Sequence, residues 1–556
     1  MSFKLTLRNL LIAAAAALIL IYIAPLGSYP LIEPDEGRYA EIPREMISSG
    51  NYITPMLNYV KYFEKPAFLY WMNAAAMRIF GENEFAARIG SALCALGGAA
   101  AAGALGAFVY GPAAGLISGI VTATMLLYFA VGTLNITDMP LSFFITLALV
   151  SFYIANAGGK KRFYLLFYFS CALAVLTKGL IGIVLPGAVI FFYMLTAEQR
   201  KHFFSPLYLP GIILFFAVSV PWFYLVCRSN PDFFRFFFIQ EHFMRYLTNM
   251  HGRYMPFWFF FAIIPAAAMP WTAFLFALCS RESVLRDPRG AEESSAAKFL
   301  LIWFAVILLF FSFSHSKLIP YIVPCIPPAA ILTGADISRM AEDERWHGFA
   351  PHLLAALNCL LAAMLFFYAN SGKDVTPAEA LPAAARIGAA LAAMPLAVFC
   401  FTGGERRRFK EAAAALCLCA VLFVWGLQSV YGIIAPQRSM KEVSEIIVKE
   451  SDGRETIAAF DELLHGIPFY TKRRVLTVGS PGELEYGSGQ PEGRGWFLSR
   501  KEFLRQWYGG KKSFILVAKN DGTLKSLFPN GVSRAAKRFD AGDYVVLFSG
   551  RRRGGK

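Results

Sequence analysis

About thirteen times along this chain an apolar stretch of roughly 17–25 residues runs long enough to cross a bilayer as a helix, and that recurrence constrains the fold more than any other feature. The stretches cover 9–27, 85–109, 112–131, 138–157, 162–178, 180–196, 206–227, 256–279, 298–314, 317–338, 350–369, 382–402 and 411–434. They predict an all-α membrane domain over residues 1–434. Composition agrees: 56% of the residues are apolar, 16% are charged and the mean hydropathy is +0.49, which disfavours an ordinary soluble enzyme, a disordered chain and a collagen-like fibre. The first stretch follows Lys4 and Arg8 as a signal peptide would, but no small-x-small cleavage site clearly follows, so it reads as an anchor.

Fifty-three Lys and Arg against 38 Asp and Glu leave a net charge of +15. In so apolar a chain these cations sit in loops, where they set membrane orientation rather than bind nucleic acid. One alternate set of loops carries Lys160, Lys161 and Arg162; Arg200 and Lys201; Arg281, Arg286 and Arg289; Arg339 and Arg345; and Arg406, Arg407, Arg408 and Lys410. That set faces the cytoplasm, which puts the N-terminus inside, the tail outside, and two long loops, about 28–84 and 228–255, on the outer face. All nine cysteines lie in or beside apolar segments and read as small hydrophobes, not as a disulfide framework. After residue 435 the composition turns mixed, with β-like runs at 514–517 and 544–547 and helical patterning over 439–449, predicting a small outer α/β domain over 435–556.

The chemistry-bearing residues gather in the outer loops. In Glu33-Pro34-Asp35-Glu36-Gly37-Arg38-Tyr39, continuing to Gly50, the apolar residues Tyr39, Ile42, Pro43, Met46 and Ile47 keep helical spacing, with Glu41, Arg44, Glu45 and Ser48 on the other side. A short helix along the membrane interface is predicted, with Asp35 and Glu36 at its start, where the helix dipole favours carboxylates. Further on, Glu64-Lys65-Pro66 precedes Tyr70-Trp71; Pro66 suits a first helical turn, so Lys65 stands beside a helix N-terminus, either as an anion site or as a lysine at the interface next to an aromatic belt. In Thr137-Asp138-Met139-Pro140, Asp138 fits an N-cap, yet it faces the same compartment as Asp35. Lys65, Lys178, Arg245 and Lys317 place cations on the side that orientation rules deplete, which points to an anionic ligand.

These motifs, with Leu176-Thr177-Lys178-Gly179, Glu241-His242 near Arg245, and Ser316-Lys317-Leu318 near Pro320-Tyr321, resemble the aminoarabinose lipid A transferases, within the protein O-mannosyltransferase-like glycosyltransferases of GT-C type. The resemblance spans nearly all of the membrane region. It implies a GT-C fold in the bacterial inner membrane, an undecaprenyl-phosphate-linked sugar donor, 4-amino-4-deoxy-L-arabinose as the sugar, and a lipid A phosphate on the periplasmic face as acceptor. Carried over residue by residue, it makes Asp35 and Asp138 the catalytic residues and Glu36, Arg38, Lys65, Lys178, Arg245 and Lys317 the substrate-binding ones. It also implies zinc at Glu64 and His242, although Gln240 stands where some relatives carry a further histidine.

Two rival readings remain. The same carrier-linked chemistry serves a protein or glycan acceptor equally well. A transporter or flippase of a lipid-linked sugar would instead carry ionisable residues in mid-span and broken helices paired across repeats; neither is clear in the sequence, where Pro186 and Pro395 interrupt apolar runs without charged neighbours.

Overall fold

A helix occupies each of the predicted apolar stretches, from Leu7–Ile23 to Phe409–Gln437, in a computed structural model that describes residues 7–196, 207–244, 255–372, 375–404, 407–510, 512–528 and 535–549. Length then separates them. Among the described residues eight helices are long and apolar enough to span a bilayer, or nine if the bent pair Pro112–Thr124 and Leu126–Gly132 is one span. Helix length among the described residues does not confirm the expected count of about thirteen crossings. Leu7–Ile23 and Ile181–Met194 are shorter apolar helices, and the stretch predicted over 256–279 is divided into Phe259–Ala267 and Thr272–Ala277.

The two broken stretches repair one another. A break in an apolar helix strands backbone groups that lipid cannot satisfy. The pair Pro112–Thr124 and Leu126–Gly132 turns by 66°, and the Leu126 N–H freed there donates to the Met269 carbonyl at 2.8 Å, in the linker that divides the other stretch. Beside it the Trp271 indole N–H donates to Thr124 Oγ1, also at 2.8 Å. Close backbone packing continues along Pro112–Thr124, which lies against the almost wholly buried helix Ile326–Glu342; a Cβ on Gly334 would stand 2.6 Å from Ser118 backbone atoms.

The chain divides into two compact units. Met1–Leu26 with Ile89–Tyr431 forms the helical unit just described, whereas Gly27–Arg88 joins Gly432–Lys556 in the second. A single cut at 434/435 thus differs from the structure in one respect: the first outer loop clusters with the tail.

In the second unit a six-stranded sheet runs in the order β5-β4-β3-β6-β8-β7, with β3 Thr456–Phe460, β4 Val475–Val478, β5 Phe497–Leu498, β6 Phe514–Lys519, β7 Ala535–Ala541 and β8 Tyr544–Ser549. The strands β5 to β6 are mutually parallel and β8 and β7 antiparallel. Phe514 and Leu516 enter a core with Phe503 and Trp507, while Ile515 and Val517 enter another with Val443 and Ile447, which is why β6 reads as an unbroken apolar run. Helix Lys441–Glu450 takes the predicted place of 439–449. The loop brings its own hairpin, β1 Met56–Leu57 and β2 Val60–Lys61, turned by Asn58 and Tyr59 at positive φ. The Asn58 side-chain amide pairs with both backbone groups of Val475, N to O 2.7 Å and O to N 2.9 Å, as a neighbouring strand would.

Candidate active site

The loop helix forms where predicted, over Asp35–Ser49, but does not expose its polar face. Glu36 to Met46 are all buried. Glu41 pairs with Arg44 through two bonds of 2.5 and 2.6 Å, and Glu45 accepts the Tyr59 N–H. Burial, followed by the charge of Glu41, pushes the Glu45 carboxyl up. An amphipathic pattern alone does not reveal whether water or protein meets the polar side; here the hairpin and the tail do. Glu36, expected to bind substrate, is buried as well. It is 2% exposed and receives Arg88 Nε and Nη2 at 2.8 and 2.7 Å, while Arg88 also donates to the carbonyls of Tyr29 and Pro30. That is a clamp on the chain entering the helix.

Asp35, one turn's start away, is different. Its side chain is 53% exposed, its Oδ1 accepts Arg38 Nη2, and its Oδ2 accepts no hydrogen bond among the described residues. Arg38 lies over the Tyr39 ring at 4.8 Å and near Tyr62 at 6.0 Å, and its Nη1 goes to Glu483, 445 positions along the chain. Around it three buried polar atoms have no partner among the described residues: Arg38 Nε, Tyr62 Oη and Tyr70 Oη. Leaving a buried polar atom unpaired costs roughly 1–3 kcal/mol, so three in one neighbourhood mark a place that a polar ligand or water completes. Burial pushes both phenols well up, which keeps them neutral hydrogen-bonding groups. Glu64 adds negative charge near Arg38.

Lys65 donates to the Glu64 carbonyl at 2.9 Å. The following helix begins at Phe68 with Ala67 as N-cap, so Pro66 falls outside the first turn it was expected to occupy. Nor do Tyr70 and Trp71 form an exposed belt: Tyr70 is buried, and the Trp71 indole donates to the Tyr52 carbonyl at 2.8 Å.

In the helical unit, Asp138 opens helix Asp138–Ala157 and Lys178 closes helix Arg162–Lys178, and the hairpin that these two make brings both to one end. Thr137, not Asp138, is the N-cap. The Asp138 carboxylate instead accepts Lys178 Nζ at 2.6 Å through Oδ1, and the ammonium also sits 4.7 Å from the Tyr321 ring centre. Lys317, expected to hold phosphate, is 5% exposed and spends its ammonium on the carbonyls of Met255 and Ser314. Arg245 and the side chain of His242 lie outside the described residues. The zinc expectation therefore keeps only Glu64 among them, and no three His, Cys, Asp or Glu side chains among the described residues stand together as a metal site.

Residues 64–225 match the family described as dolichyl-phosphate-mannose-protein mannosyltransferase, and 444–535 match the aminoarabinose transferase C-terminal domain. The undecaprenyl phosphate-alpha-4-amino-4-deoxy-L-arabinose arabinosyl transferase of Serratia proteamaculans is 30% identical over 512 residues, 88% of each chain. The chain belongs to this arabinosyl transferase family. The same-named protein of Erwinia tasmaniensis is also 30% identical, over 87% of this chain and 88% of that one. The crystal structure of ArnT from Cupriavidus metallidurans bound to undecaprenyl phosphate superposes with a TM-score of 0.82 at 26% identity, covering 98% and 99% of the two chains. An archaeal oligosaccharyltransferase, AglB from Archaeoglobus fulgidus, shares the fold at 14% identity and a TM-score of 0.52, over 93% of this chain and 70% of that one. In this arabinosyl transferase, one matched stretch holds Glu64, Lys65, Asp138 and Lys178, and the other holds His465 and Glu483.

His465 and Glu483 are the site residues that sequence reasoning missed. They lie in a tail without a diagnostic motif, and only the fold brings them to Arg38. Tyr62, Tyr70 and Tyr321 lie in or beside the motifs, but aromatics next to a membrane are so common that residue type alone did not separate them.

Proposed function

We propose that this chain moves 4-amino-4-deoxy-L-arabinose from undecaprenyl phosphate to a phosphate of lipid A at the periplasmic face of the bacterial inner membrane, with its N-terminus in the cytoplasm and its tail outside. The observation that carries the reading is Asp35: a carboxylate with one oxygen held by Arg38 and the other open, beside three unpaired buried polar atoms. A carboxylate so placed suits an aminosugar, either by pairing with its ammonium or by stabilising the positive charge that develops on the ring as the bond to the carrier breaks.

In the reaction the anomeric carbon loses its bond to the carrier phosphate oxygen and gains one to a lipid A phosphate oxygen; undecaprenyl phosphate leaves with the bonding electrons. The acceptor is anionic at neutral pH, so a strong general base is not required, and the larger demand is electrostatic. Arg38, Lys65 and Lys178 are the cations suited to phosphate. Asp138, whose Oδ2 accepts no hydrogen bond among the described residues, is suited to the sugar.

The test is transfer by the purified full-length chain in lipid nanodiscs, with radiolabelled undecaprenyl-phosphate-linked aminoarabinose and lipid A, peptide or glycan as acceptor. Label on lipid A is the expected result. Label on peptide or glycan alone overturns the acceptor, and label that crosses a proteoliposome bilayer without transfer overturns the enzyme.

A further inference from the structure

Two side chains that the reaction itself does not use stand behind Arg38. Glu483 accepts Arg38 Nη1 on Oε2 and the His465 Nε2–H on Oε1, the latter at 2.5 Å. Burial, and then the charge of Arg38, push the His465 imidazole down to about 3, so at neutral pH the ring is neutral and its Nε2 proton points at a carboxylate that can only accept. His465 is fixed from its other side through backbone: its N–H, at 3.1 Å, and that of Gly466 both donate to the Glu33 carboxyl group. The approach leaves no room for side chains. A Cβ on Gly37 would lie 2.7 Å from Gly466 N, and one on Gly466 would lie 2.5 Å from Glu33 Oε1.

Geometry gives this buttress a purpose. A guanidinium next to a carboxylate prefers the two-bonded fork, which would engage both Asp35 oxygens. With Nη1 held by Glu483, Arg38 meets Asp35 through Nη2 alone: its Nε faces no partner among the described residues instead of closing the fork, and Asp35 Oδ2 stays open on the exposed side. Arg44, one to two turns on in the same helix, has the Tyr59 hydroxyl at 3.3 Å rather than a second carboxylate as its further partner, and it gives Glu41 the two-bonded form through Nε and Nη2.

We propose that Glu483 and His465, from the C-terminal domain, are positioning residues for sugar transfer: they divide Arg38 between two carboxylates and so keep one oxygen of Asp35 free for the sugar. The inference rests on the reading that Asp35 and Arg38 serve the transfer. It gives the tail a part in positioning the Asp35 carboxylate.

The experiment measures kcat and KM for radiolabelled undecaprenyl-phosphate-linked aminoarabinose, with lipid A as acceptor, using purified full-length protein in nanodiscs. Glu483→Gln is expected to lower kcat by about 10²-fold, the scale of an ångström-level misplacement, with KM little changed. His465→Leu also lowers kcat, and His465→Gln, whose amide N–H replaces Nε2–H, restores most of it. In an Arg38→Lys background Glu483→Gln costs no further activity, because its effect passes through the guanidinium. Wild-type kcat in Glu483→Gln and His465→Leu, a change in KM alone, or a full additional loss in the Arg38→Lys background overturns the inference. If Glu483→Gln does not fold, the contrast between His465→Leu and His465→Gln decides. Wild-type turnover by Arg38→Ala would instead sink the underlying assignment.

Discussion

Asp35 and Asp138 give the same sequence signal, an acid at the start of a helix in an outer segment, and the structure holds them in opposite ways. Both have Oδ1 on a cation and Oδ2 without a hydrogen bond among the described residues. Asp138 takes its cation from the next helix, 40 positions on, with the Tyr321 ring beside the ammonium. Asp35 takes its cation from its own helix, and that cation is then braced by a glutamate and a histidine from the far end of the chain. A hairpin of neighbouring helices supplies one carboxylate and an assembly of distant segments the other. The first needs little beyond local packing; the second has more places to fail.

The largest expected effect lies on both acids. Asp35→Asn and Asp138→Asn should each lower kcat at least about 10²–10³-fold, the scale of losing one preorganised electrostatic contact, while the protein stays in the membrane. Near-normal turnover by either purified variant would remove that residue. Lys65→Ala should fall in the same range if the lysine holds phosphate. Next comes Arg88→Leu, which leaves Glu36 charged and buried and should cost about 3–5 kcal/mol of stability. A lower thermal midpoint with normal turnover per folded molecule identifies the pair as structural, whereas normal stability with lost turnover returns Glu36 to the substrate-binding residues. Asn58→Ala, which strands Val475 N–H and C=O, should cost about 1–3 kcal/mol in the same thermal assay; an unchanged midpoint would argue against the hairpin as a brace of the tail.

The smallest effect is on pH. His465 has its native pKa depressed to about 3 against about 6.5 unfolded, so its contribution to stability is present above pH 6.5 and lost as pH falls toward 3, where the unfolded chain binds a proton that the native one refuses. The stability difference between wild type and His465→Gln should shrink by up to about 1.4 kcal/mol per pH unit below 6.5. A difference independent of pH between 7 and 5 would mean that the native ring protonates freely.

The apolar stretches and the motif acids were legible because they depend on local periodicity and residue type. The sequence located the apolar helices among the described residues of the membrane part and the tail's α/β character, and singled out Asp138 and Lys178 separately, without their pairing. It misjudged continuity: the stretch 112–131 bends and 256–279 divides because each supplies the partner for the other's stranded backbone, a compensation with no trace in either segment alone. It also misjudged the loop helix, because an amphipathic stripe looks identical whether its charges meet solvent or a hairpin and a domain.

What the amino-acid order determined by itself was a multi-pass chain with acids and cations held in its outer segments, since hydropathy and charge act on each stretch without reference to any other. Tertiary structure alone decided which of those charges are already spent. Glu36, Glu41 and Lys317 are committed to Arg88, Arg44 and backbone carbonyls, while Asp35 keeps an oxygen open through Arg38 and its brace Glu483, 445 positions along from Arg38. The reason is that a buried charge must be paired, and which partner reaches it is a matter of packing between remote parts of the chain.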